Sequence, residues 1–436
     1  MAVRRPANST AQAGADFTSR SGTLTFFPLV TTQVVQIPIV DDSLPEATEN
    51  FRLVLSNPSG GATLTENFTA TIDITDNDAP NGTVLISEFR ARGPNGAADE
   101  FVELYNNSSY PLTVGATDGS TGWTVATLAS DGANINPVFT IPNGTIIPPR
   151  GHFLGVNNQG YSLAEYPSGV NGLGTPGDAS FVNELADNGG LALFKTTRHE
   201  HFTANFVLDA VGFADNEGAA ASIFREGTGL TWPSAENAEF SFVRRNSAGR
   251  VRDTNDNAAD FALVATGSGN FGRAGALKGM PGPESLASLL MDGNGQIGIT
   301  ELLLPTGEQP IGLPAGNGKL KQLRLFRRIT NQTGQPLSHL RLRVVDMGGN
   351  YLDASVLSSS DVAVTLADGT SLNARGATLE LSDRQAPGGG LNSSLNVPSV
   401  TPVTPLAAGQ TITVNVWLQS ALRGKVKLEL VAEALP

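Results

Sequence analysis

No cysteine occurs among the 436 residues, which excludes disulfide bonds and thiolate chemistry. Each domain must therefore be held together by its hydrophobic core or by another cross-link such as a metal ion. Long apolar segments are also missing. Without a run of about 18 apolar residues, no segment is predicted to span a membrane. The N-terminal stretch MAVRRPANSTAQ carries charge but no apolar region, so we expect no signal peptide in this chain.

Positive charge and histidine are scarce. The chain has 28 Lys and Arg residues against 41 Asp and Glu residues, a formal net charge of -13. This balance argues against nucleic acid as a partner, because nucleic-acid binding requires a basic face. Four histidines, at positions 152, 199, 201 and 339, are accompanied by neither a cysteine nor a G-x-S-x-G motif. We therefore expect a protein that is not an enzyme.

Helical periodicity is almost absent, and short runs that alternate apolar and polar residues take its place. Examples are GTLTFFP, VVQIPIV, FRLVLSN and TITVNVWLQ, separated by glycine- and proline-containing turns. This pattern predicts an all-β chain of sandwiches. The length predicts about three domains. Shifts in composition place them at residues 1–80, 83–272 and 286–436, with a proline-rich linker at 273–285.

Three segments of the first module are rich in carboxylates. Calcium takes six to eight oxygen ligands from irregular loops, and alternate loops of a sandwich fall at the same end. The sequence therefore favours a calcium site where these loops converge. The alternative is that each segment is a solvated turn, which Asp and Asn favour for local hydrogen-bonding reasons. The acidic residues are Asp16, Asp41, Asp42, Glu46, Glu49, Asp76 and Asp78.

The stretches GADFTSRSGTLTFFP, IPIVDDSLPEATENF, LSNPSGG and IDITDND together resemble a Calx-β domain over nearly its whole length. In that family, acidic residues in these loops bind calcium at one end of the sandwich. The resemblance implies a Ca²⁺ site in this chain, with Glu49 matching the family's second glutamate and the carbonyl of Leu44 as a further candidate. The matched ligand positions are Asp16, Asp41, Asp42, Glu46, Asp76 and Asp78.

The same family normally has an opening strand, for which only MAVRRPANSTAQA is present before Gly14. The first strand of the module is therefore expected to be missing. One interpretation is a truncated sequence. The other is that a strand from another molecule fills the vacancy, because an unpaired edge is a template for strand addition.

The second module opens with VLISEFRARGPNGAADEFVELYN and closes with RDTNDNAADFALV. Both stretches resemble a bacterial lamin-tail domain, an immunoglobulin-like, non-catalytic extracellular module, with a long insertion at roughly 115–180. Glu88, Glu100 and Glu103 suggest the paired carboxylates that glycoside hydrolysis needs. However, no histidine, tyrosine or arginine accompanies them at a clear spacing. We expect no catalytic residues in this module.

Three further motifs suggest metal sites. His199 and His201 are expected on one face of a strand, where their two imidazoles could bind the same zinc ion. No third ligand is evident, so the sequence favours a solvated strand end. The run RDTNDNAAD favours hydrogen bonds within a loop over a cation site. The stretch MDGNGQIGITEL fails the EF-hand spacing rule and predicts a strand after a DGNG turn.

The third module contains a basic stripe that is predicted to form an outward sheet face. The stripe lacks the interleaved aromatic residues that a nucleic-acid-binding surface uses to stack bases. An alternative to the outward sheet face is that Arg327 and Arg341 face an acidic neighbouring domain. TNQTGQPLSHLRLRVVD resembles a C-terminal sandwich of secreted bacterial proteins, and KVKLELVAEALP is expected to pair with TITVNVWLQ. The stripe is Lys319, Lys321, Arg324, Arg327, Arg328, Arg341 and Arg343.

Together these features predict three immunoglobulin-like β-sandwich modules in series. We expect a non-enzymatic, secreted or cell-surface bacterial protein that binds calcium and acts in adhesion or as extracellular structure. Its expected partners are other protein chains or cell-surface components. One alternative is a filament subunit assembled head to tail by strand donation. Another is a polysaccharide-binding module, which would need exposed aromatics such as Trp123, Trp232 or Trp417.

Overall fold

The all-β prediction is confirmed, since strands dominate the computed structural model. The chain forms two compact units, Met1–Asn81 and Gly82–Pro436. Among the described residues, no helix has the length and apolar character needed to cross a bilayer. The structure describes residues 2–4, 10–14, 16–40, 49–74, 82–167, 174–218, 220–233, 237–247, 250–266, 274–292, 295–301, 313–314, 321–347, 355–357, 359–366, 368–381, 389–420 and 428–436.

The first unit contains an antiparallel sheet of three strands in the order β1-β2-β3. The phenyl rings of Phe17 and Phe51 stack at 4.4 Å between centroids and form its core with Ala11. Strand β1 lies along one edge of β2, so the segment before Gly14 does supply a strand to this sheet. The bounds are β1 (Ala2–Arg4), β2 (Glu49–Val54) and β3 (Thr69–Ile74).

The runs GTLTFFP and VVQIPIV are not strands, so this part of the prediction is wrong. Their alternation provides strand propensity, but a strand also needs a neighbour that completes its hydrogen-bond ladder. Among the described residues, GTLTFFP takes part in no ladder. VVQIPIV has one isolated antiparallel bridge, Ile39 to Phe17, with the Thr18 N–H donating to the Pro38 carbonyl at 2.9 Å. Phe26, Phe27 and Leu29 are consequently exposed.

The second sandwich opens the second unit. A seven-stranded sheet has the order β11-β10-β5-β4-β14-β17-β18, and a four-stranded sheet has the order β13-β12-β7-β8. The strands are β4 (Val84–Arg90), β5 (Phe101–Asn106), β6 (Leu112–Thr113), β7 (Gly122–Leu128), β8 (Ile135–Pro142), β9 (Ile146–Ile147), β10 (His152–Asn157), β11 (Ala179–Phe181), β12 (Gly190–Phe194), β13 (Val207–Gly212), β14 (Phe240–Arg244), β15 (Asn246–Ser247), β16 (Arg250–Val251), β17 (Phe261–Ala265) and β18 (Leu277–Lys278).

Aromatic side chains form much of the core of the second sandwich. Phe89 of β4 stacks on Phe242 of β14 at 5.1 Å between ring centroids, and Phe213 and Phe261 meet it edge-on. Strands β7, β8 and β10 all lie within the predicted insertion at 115–180. That stretch is therefore part of the framework of both sheets, not an addition to it.

Among the described residues of this unit, helical structure is limited to single turns. Helix α1 spans Asn257–Asp260. Three 3₁₀ turns span His199–His201, Ala204–Phe206 and Ala221–Ile223.

The third sandwich completes the second unit. Its sheets have the orders β19-β30-β23-β28-β27 and β20-β22-β29-β26-β25, with β21 on β22 and β24 on β29. The strands are β19 (Leu290–Met291), β20 (Ile297–Glu301), β21 (Leu313–Pro314), β22 (Lys321–Asn331), β23 (His339–Asp346), β24 (Ser355–Leu357), β25 (Val362–Thr365), β26 (Ser371–Gly376), β27 (Thr378–Leu379), β28 (Ser394–Asn396), β29 (Thr411–Ser420) and β30 (Glu429–Leu435).

The last strand, β30, does not pair with β29, so the predicted C-terminal hairpin is wrong. It lies between β19 and β23 in one sheet, while β29 lies between β22 and β26 in the other. Because β29 has ladder partners on both edges, a hairpin with β30 would have to displace one of them. The two strands therefore face each other across the sandwich.

The segment predicted as a linker is buried in contacts between the second and third sandwiches. Residues 279–285 are all buried. The Met280 N–H donates to the Leu391 carbonyl at 3.1 Å, and a Cβ at Gly279 would lie 2.4 Å from that same oxygen. The small residues that predicted an exposed tether instead allow close backbone approach.

Candidate functional site

The first unit brings together the ends of its acidic segments. The Val40 N–H donates to the Asp16 carbonyl at 3.0 Å, so the acidic segment 41–48 starts beside Asp16. Glu49, where that segment ends, is paired with Ile74 across the β2–β3 ladder. The acidic segment 75–81 begins directly after Ile74. All three segments therefore meet the described backbone at one end of the sheet.

Two predicted calcium ligands lie within the described residues. Asp16 is 8% exposed, and its carboxylate accepts a hydrogen bond from the Gln12 N–H. A carboxylate has about four lone-pair sites, so this bond leaves acceptor capacity that suits a hard cation. Glu49 is half-buried at the start of β2. The other predicted ligands lie outside the described residues: Asp41, Asp42, Leu44, Glu46, Asp76 and Asp78.

A second group of carboxylates is buried in the second unit, where β4 and β5 meet β23, β30 and the 279–285 segment. We call this group the buried charge cluster. It combines five carboxylates, two guanidinium groups and one imidazole. The members that form ion pairs have side chains that are 10% exposed or less. Its members are Glu88, Glu103, His152, Glu284, Arg341, Arg343, Glu380 and Glu433.

Two arginines of the predicted surface stripe belong to this cluster, so their outward placement is wrong. Arg343 pairs with Glu284 at 2.9 Å and with Glu433 at 2.5 Å. Arg341 contacts Glu284 and Glu433. Strand β23 lies between β30 and β28 in its sheet. Arg341 and Arg343 are two residues apart on this strand, so they lie on the same face, and both are buried. The acidic partners of Arg341 are Glu380 and Glu433 of its own module and Glu284 of the 279–285 segment, so the alternative that Arg327 and Arg341 face an acidic neighbouring domain stays a prediction.

The rest of the stripe within the described residues lies nearer the surface. Arg328 is exposed, and Arg324 and Arg327 are half-buried. The Arg324 guanidinium lies 4.3 Å from the centroid of the Trp417 ring, a cation–π contact. Lys319 lies outside the described residues, and only the backbone of Lys321 is described.

Glu88 and Glu103 are neighbours across the β4–β5 ladder. Glu88 accepts from the Gly282 N–H at 3.0 Å and from the Ser241 hydroxyl at 2.6 Å. Glu103 accepts from the Glu284 N–H at 2.6 Å. Burial raises the pKa of both carboxyl groups. The pair that resembled a glycosidase pattern is therefore engaged in hydrogen bonds that join the two sandwiches.

The surroundings of His152 are not evident from the sequence, because a lone histidine in HFLGVN gives no motif. Its Nε2 lies 3.4 Å from an oxygen of Glu284 and 3.9 Å from one of Glu103. Burial and the arginines lower its pKa to about 3, so the ring is neutral at pH 7. All three side chains line a cavity of about 480 Å³.

The histidine motif at 199–201 forms a 3₁₀ turn, so its predicted strand placement is wrong. The two imidazoles have separate partners. His201 Nδ1 lies 2.6 Å from the Asp118 carboxylate, and His199 Nε2 lies 3.1 Å from the Ile135 carbonyl.

Aspartates of the two acidic loop motifs of the second unit accept backbone hydrogen bonds, the arrangement predicted for RDTNDNAAD. Asp256 caps α1 by accepting from the Ala259 N–H at 3.2 Å. Asp260 accepts from the Thr254 N–H at 2.7 Å. Asp292 accepts from the Ile297 N–H at 2.6 Å, where the predicted strand β20 begins.

Comparison with known proteins identifies the first unit. Residues 5–78 match the family model of the Calx-beta domain, so the chain contains a Calx-beta domain within an all-β architecture. No solved structure matches the chain. The lamin-tail resemblance of residues 83–272 and the resemblance of the third module stay predictions.

Two curated relatives share this first region. Over 77 residues, 18% of this chain, it is 39% identical to the adhesion G-protein coupled receptor V1 of Danio rerio, covering 1% of that protein. Over 71 residues, 16% of this chain, it is 42% identical to the sodium/calcium exchanger Calx of Drosophila melanogaster, covering 8% of it. The chain thus spans a small part of the length of these relatives.

Proposed function

We propose that this chain is a non-enzymatic structural or adhesion protein of the bacterial cell surface or extracellular space, with a first unit that is stabilised by calcium. The observation that carries the proposal is the convergence of three acidic segments at one end of a Calx-beta domain. Without a cation, their carboxylates would repel one another. A calcium ion bound by several oxygens removes that repulsion.

The names of the two relatives support the adhesion part and the calcium part of this proposal, respectively. One is an adhesion receptor and the other is a sodium/calcium exchanger. We therefore propose other protein chains or cell-surface components as partners. The non-enzymatic part is supported by Glu88 and Glu103, whose carboxylates accept hydrogen bonds from backbone N–H groups.

Both alternative functions have less support among the described residues. Strand donation needs a donor segment, but β1 pairs with β2 and β30 lies between two strands of its own sheet. Sugar binding needs exposed rings, but Trp123 is 3% exposed, Trp232 packs edge-on against Phe213, and Trp417 lies beneath Arg324.

The deciding experiment is thermal unfolding of the full chain in calcium and in chelator. We expect calcium to raise the melting temperature of the first unit only, and Asp42→Ala to abolish the rise. The matched control is Glu66→Ala, an exposed carboxylate in the loop at the opposite end of the same sheet. Identical curves in calcium and chelator would overturn the proposal.

A further inference from the structure

We propose that the cavity between the second and third sandwiches binds one divalent transition-metal ion through Glu103, His152 and Glu284. These three residues come from β5, from β10 and from the buried 279–285 segment. The site is separate from the calcium-binding loops: it lies in the other unit and contains a nitrogen ligand.

The distances fit a metal of ordinary size. One oxygen or nitrogen atom from each residue lies within 4.8 Å of the others. The imidazole Nε2 is 3.4 Å from Glu284 and 3.9 Å from Glu103. Four ligands placed about 2.1 Å from a tetrahedral metal are about 3.4 Å apart. Of the three edges, the one between His152 and Glu284 therefore already has this length, and the one between His152 and Glu103 must shorten by roughly half an ångström. The third, between the two carboxylates, is 4.8 Å or less.

The ligand set itself carries the charge that a cation would balance. Within the cluster, five carboxylates face two guanidinium groups. Arg244, Arg245, Arg252 and Lys278 also line the cavity, together with Asp346. Buried charge without a counter-charge is costly, and a divalent ion would compensate its own two carboxylate ligands, Glu103 and Glu284.

His152 provides the second, independent observation. It is 3% exposed, and its Nδ1 has no hydrogen-bond partner. On its other side, Nε2 faces two carboxylates at distances longer than a normal hydrogen bond. A neutral imidazole at this position is a ready metal ligand.

The ligand set selects the class of metal. Calcium and magnesium prefer oxygen ligands alone, whereas one imidazole with two carboxylates suits zinc, cobalt or manganese. Arg341 and Arg343, which bond to Glu284, would hold this carboxylate in place from outside the coordination sphere. The ion would join three separate chain segments, so we expect it to stabilise the second unit.

The test uses the full chain, stripped of metal with a chelator and then incubated with Zn²⁺. We expect one Zn²⁺ per chain to remain after gel filtration, measured by elemental analysis, and a higher melting temperature for the second unit. His152→Gln should lose both effects. The control variants His339→Gln and the double variant His199→Gln/His201→Gln should retain the ion. Asp42→Ala should also retain it, which separates this site from the calcium site.

A second measurement needs no variant. Co²⁺ added to the stripped wild-type chain should give the visible absorption of a cobalt ion in a four-coordinate site with nitrogen and oxygen ligands. Absence of this spectrum, no retained Zn²⁺, or retention undiminished in a folded His152→Gln protein would each overturn the proposal.

Discussion

The chain concentrates carboxylates in two regions, and the two differ in how the charge is balanced. In the first unit the acidic residues are clustered in short stretches of sequence, and the described backbone that flanks these stretches lies at one end of a sheet. In the second unit they come from five separate elements, are buried, and face two arginines. We propose that the clustered carboxylates of the first unit take their cation from solution. The dispersed carboxylates have most of theirs built into the chain.

The largest expected effect comes from removing one built-in cation. Arg343→Met should destabilise the second unit by about 3–5 kcal/mol, because it leaves Glu284 and Glu433 buried with less compensation. The control is Arg375→Met, which breaks an ion pair whose side chains are 45% and 50% exposed and should cost less than about 1 kcal/mol. Denaturant unfolding measures both. Similar losses for the two variants would show that the cluster does not depend on its arginines.

The next effect tests the cation that comes from solution. At a free calcium concentration of 100 times Kd, the first unit should gain about 2.7 kcal/mol of stability. Because the acidic segments and the buried charge cluster belong to different units, we expect Arg343→Met to leave this gain unchanged. Calorimetric scans at two calcium concentrations would measure it. A calcium response that disappears in Arg343→Met would mean that the two regions are coupled.

A smaller effect concerns pH in the second unit. Burial and Asp209 raise the pKa of Glu226 to about 8. The folded state therefore holds a proton that the unfolded state releases, so stability must fall as pH rises from about 4.5 to 8. Between pH 6.5 and 8, Glu226→Gln should reduce this fall by about 1 kcal/mol after allowance for solvent screening, and the histidines titrate alike in the two proteins being compared. Equal pH slopes for both proteins would contradict the assignment.

The smallest expected effect lies in the exposed run of the first unit. Phe27 is 67% exposed, so Phe27→Ser should change the unfolding free energy by less than about 0.5 kcal/mol. Asp16→Asn, in the same unit, should weaken the calcium response instead. A loss well above 1 kcal/mol for Phe27→Ser would show that another chain covers this run, and would revive the filament alternative.

The parts of this molecule that sequence reasoning predicts are those with a local signal. Period-two alternation is enough to identify an all-β chain, and the motifs around the acidic segments are enough to recognise the Calx-beta domain that the family model matches at residues 5–78. Alternation also places Arg341 and Arg343 on one face of β23, but it does not say whether that face is exposed. That depends on a second sandwich about 200 residues away in sequence, whose packing leaves no local trace.

The same limit explains the other errors. The Gly- and Pro-rich composition of 279–285 is equally compatible with an exposed tether and with close packing. A histidine becomes notable only beside Glu103 and Glu284, which lie far from it in sequence. For GTLTFFP and VVQIPIV the local signal was present, but among the described residues the first has no ladder partner and the second has a single bridge, between Ile39 and Phe17.

The central position of β30 has a consequence for biosynthesis. Its neighbours β19 and β23 leave the ribosome long before it does, and β23 waits for roughly 80 further residues, about 4–16 s at ordinary translation rates. During that interval each neighbour presents an unsatisfied edge, and Arg341 and Arg343 lack Glu433. The third sandwich is therefore completed only after its final strand has emerged, and a nascent chain that stalls before Glu429 is a substrate for chaperones rather than a folded intermediate.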